Sequence, residues 1–301
     1  MLIKEIFNKG CILMNNGQKD LASEEFEKAF AISTNKNDKL QIGLALVATL
    51  SSASSNKRII EICDESLILA EYVNDLAAKA YLMGIKAGCL HIENLSFLYK
   101  QKNLKLIPTW SGFSLESESN LYCLLEEKIN NNKKDAELLL NKAIKLCDDN
   151  NLKLAKGNIM LSKGSIYGQE YMHYKLLHQR PSKLFLFLRK YIDIELYVCF
   201  TKKEREQLID LRKNCIDYFL KAVSIFEEMK DERNIGYAYF NLSNQLRMMN
   251  TLRMAQKYLD KSRVIIRKCN DNVLFKNIAT LQESIKKRNL NIPDYIHGEK
   301  R

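Results

Sequence analysis

Small side chains recur along this chain at a spacing that leaves few folds open to it. Ala29, Ser66, Ala143, Ala222 and Ser262 lie 37, 77, 79 and 40 positions apart, so the two double gaps imply degenerate units centred near 104 and 182. About seven units of roughly 39 residues result, a period proper to stacked supersecondary repeats. Aligning Tyr218-Phe219-Leu220-Lys221-Ala222 on Tyr258-Leu259-Asp260-Lys261-Ser262 fixes a 40-residue register and brings Asp231 onto Asp271. A second register runs beside the first. Fourteen residues after each small residue come Gly43, Ala80, Gly157 and Gly236, and seven further on stand Leu50, Ala87, Gly164 and Ser243, with Gly10 in the first unit. A small residue in mid-helix lets a neighbouring helix approach closely, so both registers specify paired helices rather than isolated ones.

Composition supports helices as the only regular element. The 301 residues include 11 Gly and 3 Pro, too few turn-formers for the frequent reversals of an all-β chain. Helices are expected near 2–15, 20–34, 38–53, 56–73, 75–92, 94–106, 115–129, 134–148, 151–178, 181–200, 203–229, 233–249, 252–269 and 272–288. Asn15-Asn16-Gly17, Asn130-Asn131-Asn132, Asp148-Asp149-Asn150-Asn151 and Asn270-Asp271-Asn272 mark turns between them, since asparagine tolerates the left-handed conformation and bonds its own backbone. Pro108-Thr109-Trp110-Ser111-Gly112 is the obvious irregular connection. The expected organisation is repeats over 1–107, a connection at 108–114, basic repeats over 115–288 and a tail at 289–301.

These residues carry a resemblance to a known family. Gly10, Ala22, Phe26 and Ala29 in the first unit, Ser243, Ala255, Leu259 and Ser262 in the penultimate one, and Ala136, Leu140 and Ala143 in the fourth follow the small, small, large-apolar, small order of the tetratricopeptide repeat, which this chain resembles. The likeness is clearest over 3–36, 115–168 and 215–270. It implies an all-α fold: a right-handed superhelical array of antiparallel helix hairpins, about 14 helices in all. It also implies a non-enzymatic scaffold or adaptor that holds a peptide or helix of a partner protein on its concave face. In extended-repeat members of the family an Asn-Leu-Gly-Asn run faces that groove, and Asn241-Leu242-Ser243-Asn244 is similar to it with Ser in place of Gly.

The candidate partner-binding residues are therefore Tyr237, Phe240, Asn241, Asn244 and Arg247. A carboxamide offers donor and acceptor together, so it can hold a peptide backbone whatever the side chain, and Arg247 one turn on can pair with a carboxylate. A secondary surface combines the basic line Arg253, Lys257 and Lys261 with Tyr167, Tyr171 and Tyr174, spaced 4 and 3 on one helical face. Aromatic stripes at that spacing are more often core than ligand platform. The apolar run over 184–200 needs burial on several sides, by neighbouring helices or by a second copy of the chain.

Charge divides the chain. Residues 1–150 hold 18 basic and 20 acidic side chains, net −2, and residues 151–301 hold 29 and 16, net +13, so the second half alone carries the net positive charge of the chain. A protein or peptide partner of acidic character is expected, with a peptide-sensing regulatory role or nucleic-acid and polyanion binding by the basic half as alternatives. The eight cysteines are scattered without a C-x-x-C pair and read as reduced thiols of a cytoplasmic protein. Asp193 and Glu195 interrupt the most apolar stretch, so neither a membrane span nor a membrane partner is expected. His173 and His178 are five apart and face different ways. With no phosphate loop or nucleophile motif either, no metal, cofactor or catalytic residue is assigned.

Overall fold

The computed structural model describes residues 2–50, 56–105, 115–178 and 200–289. Among the described residues all regular structure is helical. In chain order the helices are α1 (Leu2–Asn15), α2 (Lys19–Ile32), α3 (Lys36–Thr49), α4 (Asn56–Tyr72), α5 (Leu76–Lys105), α6 (Leu115–Asp149), α7 (Lys153–His178), α8 (Lys202–Glu228), α9 (Glu232–Met248), α10 (Leu252–Cys269) and α11 (Asn272–Asn289). Two compact units divide the chain, the first ending at Lys163 and the second beginning at Gly164, inside α7.

In the first unit each helix from α1 to α6 packs on the next, and α3 also touches α5. The core runs along the repeat register: Ala22, Phe26 and Ala29 of α2, Leu40 and Leu46 of α3, and Ile62 and Cys63 of α4 are all buried. Gly10 shows what the small position does. A Cβ placed there would stand 2.6 Å from the Phe26 ring, so only glycine lets that ring lie on the α1 backbone, where it also meets Phe7 at 5.4 Å.

In the second unit α8 packs on α9, α9 on α10, and α10 on α11, while α9 also touches α11. Here the small positions add hydrogen bonds to close approach. The buried Ser243 hydroxyl donates to the Ala255 carbonyl at 2.7 Å, and the buried Ser262 hydroxyl donates to the Gly236 carbonyl at 2.8 Å. The pair α9–α10 is stitched twice in this way. Gly164 of α7 repeats the Gly10 arrangement against Phe219 of α8, where a Cβ would fall 2.7 Å from the ring.

Helix ends share one device. Asn74, Asn151, Lys230, Asn250, Asn270 and Gly17 have positive φ, and at five of the six sites the following amide donates back across the turn: Asp75 to Ala70, Leu152 to Cys147, Asp231 to Phe226, Thr251 to Leu246 and Gln18 to Leu13, each at 2.9 Å. This is the Schellman closure, which satisfies carbonyls that the helix end would otherwise strand. An aspartate then caps the next helix in three places, with Asp75, Asp231 and Asp271 accepting from Ala78, Asn234 and Leu274. Thr201 and Glu204 form a reciprocal capping box at the start of α8.

Two expectations are corrected. Asn130-Asn131-Asn132 is not a turn: α6 runs unbroken through it and joins the expected helices 115–129 and 134–148. Likewise 75–92 and 94–106 are one helix, α5. The reason lies in α5–α6 packing. Asn94 donates to the Ile129 carbonyl at 3.2 Å and Asn132 donates to Glu93 at 3.2 Å, so the asparagines are held in a helix–helix contact that outweighs their weak helix preference, about 0.7 kcal/mol each. Eleven helices therefore stand among the described residues where about 14 were expected. The expected helix 181–200, the self-association proposed for 184–200, the connection 108–114 and the tail beyond 289 lie outside the described residues, apart from Phe200, which is buried.

Candidate partner-binding groove

Helix α9 is amphipathic in a way that divides its side chains between two tasks. Ile235, Ala238, Tyr239, Leu242 and Leu246 are buried, which turns Tyr237, Phe240, Asn241, Asn244 and Arg247 toward the other side. Asp231 fixes the start of the helix, accepting from both the backbone and the side chain of Asn234. Beside α9 lies α11, held by the buried Leu274, Ile278, Leu281 and Ile285. Between the two helices opens a groove of about 300 Å³ lined by Phe240, Asn244, Arg247, Asn277, Thr280, Leu281 and Ser284.

Three of the five sequence candidates, Phe240, Asn244 and Arg247, line this groove. Tyr237, 36% exposed, stands edge-on to Phe240 with ring centroids 6.4 Å apart and is not itself a lining residue. Burial pushes the Tyr237 phenol above its ordinary value, and nearby Asp271 adds to the effect. Asn241 is half-buried on the same helix and is not among the lining residues.

The polar groups are already organised. Arg247 donates through Nε at 3.3 Å and Nη2 at 3.0 Å to the Asn244 carboxamide oxygen, and through Nη1 at 3.3 Å to the Ser284 hydroxyl across the groove. The guanidinium is thus fixed as a planar floor instead of swinging in solvent. The Asn244 oxygen serves Arg247, a role the sequence did not suggest.

The α11 side was missed, although the sequence held the signal. Adding the 40-residue period to positions 237, 240, 241 and 244 gives Asn277, Thr280, Leu281 and Ser284, the four lining residues of α11. The last repeat therefore presents the same face as the penultimate one.

The secondary surface divides. Tyr171 is 2% exposed and belongs to the core. Tyr167 stacks on Tyr218 at 5.3 Å with an interplanar angle of 8°, and burial followed by nearby Glu204 pushes the Tyr174 phenol up. The basic line stays outside, with Arg253, Lys257 and Lys261 all exposed. The Lys261 ammonium lies 5.2 Å from the Tyr239 ring and 5.6 Å from the Tyr258 ring.

In the first unit the polar features are structural in placement. Arg58 grips Glu27 through two bonds, at 3.0 and 2.7 Å, and also reaches Glu61. Glu25 accepts from Lys28 and Lys9, which hold its carboxyl below the usual carboxylate range. His91 and Asn94 of α5 are buried, and the His91 Nε2 and Asn94 Oδ1 atoms have no hydrogen-bond partner among the described residues.

No protein-family model matches this chain, and no curated protein matches its sequence.

Proposed function

We propose that this chain is a non-enzymatic interaction module of the tetratricopeptide-like kind, a right-handed array of helix hairpins acting in the cytoplasm. Its groove between α9 and α11 takes a peptide or helix of a partner protein. The observation that carries this reading is the groove itself: an apolar wall of Phe240 and Leu281 faces Asn244, Asn277, Thr280 and Ser284, with Arg247 held in the floor. A few oriented polar groups in a mainly preformed cleft are what ligand recognition requires. Arg247 supplies positive charge for an acidic side chain, and the Asn244 amide hydrogens supply donors for a backbone carbonyl. Succession of neighbouring helices, with α3 reaching α5 and α9 reaching α11, supports the repeat reading, as do the Gly10–Phe26 and Gly164–Phe219 contacts.

Panning a displayed random-peptide library against the full chain tests this. Enriched peptides are expected to lose at least tenfold in affinity, about 1.4 kcal/mol, for Phe240→Glu/Ser284→Arg and to keep it for the exposed control Lys213→Glu. Peptides that bind all three proteins equally would place recognition elsewhere.

A further inference from the structure

The outward face of α10 is separate from that groove. Its buried residues, Leu252, Ala255, Tyr258, Leu259, Ser262 and Ile266, define one side of the helix. At 3.6 residues per turn, the outward arc of roughly 140° holds Arg253, Met254, Lys257, Asp260, Lys261, Val264, Arg267 and Lys268. All eight are exposed. Five cations and one acid occupy this arc, and from Arg253 to Lys268 it extends about 22 Å along the helix axis. The acid, Asp260, accepts from Gln256 at 2.9 Å. Two apolar side chains lie among the cations, Met254 at 38% and Val264 at 60% exposure.

We infer that this strip is a docking face for the headgroup layer of an anionic phospholipid bilayer. Three of the five cations are lysines, compact charges suited to phosphates at no fixed angle, and clustered cations on a helix are drawn to an acidic leaflet. The two apolar side chains gain by entering the boundary below the headgroups and would gain nothing from a phosphodiester backbone. No aromatic residue lies in the strip to stack on a nucleic-acid base. The contact proposed for α10 is with the bilayer surface; among the described residues no helix is long and apolar enough to cross a membrane.

Flotation of the full chain with vesicles of phosphatidylcholine, with and without about 30 mol % phosphatidylserine, tests the inference. Binding is expected only to the anionic vesicles, weakening steeply between about 50 and 500 mM salt as charges are screened. Lys257→Gln/Lys268→Gln should weaken it by about fivefold per charge, about 30-fold together. Val264→Asp should weaken it too, while Lys202→Gln/Lys203→Gln on α8, the same change in net charge, should not. Equal losses from the two lysine pairs, an unaffected Val264→Asp, or retention on duplex DNA with no vesicle binding would each overturn it.

Discussion

Lowering the pH from 7 to 5 should destabilise this protein through one residue, His91. The imidazole is 6% exposed on α5, and burial, reinforced by the positive Lys133, brings its pKa down from 6.5 to about 4. In the unfolded chain the same ring titrates near its ordinary value, so between pH 6.5 and 4 the unfolded state binds the extra proton. Stability is therefore whole above about pH 6.5 and falls as the pH drops toward 4. At pH 5 the unfolded ring is almost fully protonated and the folded ring about one-tenth protonated. The difference corresponds to about 1.5 pH units of linkage, or about 2 kcal/mol. Urea unfolding followed by circular dichroism at pH 7, 6 and 5 reads this directly when wild type is compared with His91→Leu, which keeps the volume and removes the titration. The wild type should lose about 2 kcal/mol more than the variant over that interval. Parallel loss in both proteins would refute the reasoning, because His91 would then not be held neutral by its surroundings.

Two further outcomes concern the repeat's own chemistry. Lys230 is the one residue among the described left-handed positions that is neither glycine nor asparagine, so Lys230→Gly should stabilise the chain by about 1 kcal/mol, read as a higher urea midpoint. Ser262→Ala removes a buried bond to the Gly236 carbonyl and should cost about 1 kcal/mol, whereas Ser66→Ala removes a buried hydroxyl that has no partner among the described residues and should be neutral or stabilising. Equal thermal shifts for the two serine variants would contradict the difference drawn between them.

The sequence made the hairpin logic legible where a single side chain decides the packing. Gly10 against Phe26, and Ser243 with Ala255 and Ser262, stand where the small-residue registers put them, because helix approach is limited by one Cβ at a time. The α9 face was legible for the same reason, since burial of Leu242 and Leu246 dictates where Asn244 and Arg247 point. Other features depended on partners far along the chain. Continuity of α6 through Asn130–Asn132 is decided by α5, which no local pattern records. Lys230 adopts a left-handed turn on the strength of the Asp231–Phe226 closure despite its poor propensity. Asn244 satisfies Arg247, a bond that i,i+3 spacing permits and does not require.

The two glycine–phenylalanine contacts differ greatly in sequence separation, 16 positions for Gly10–Phe26 and 55 for Gly164–Phe219. Loop closure grows with the logarithm of length, so bringing the second pair together costs about 1 kcal/mol more chain entropy than the first. Nucleation at the amino-terminal hairpin should then precede assembly around α7 and α8 in time. Lengthening the intervening stretch would change this cost only slightly, so new sequence there would hardly alter the closure of the second contact.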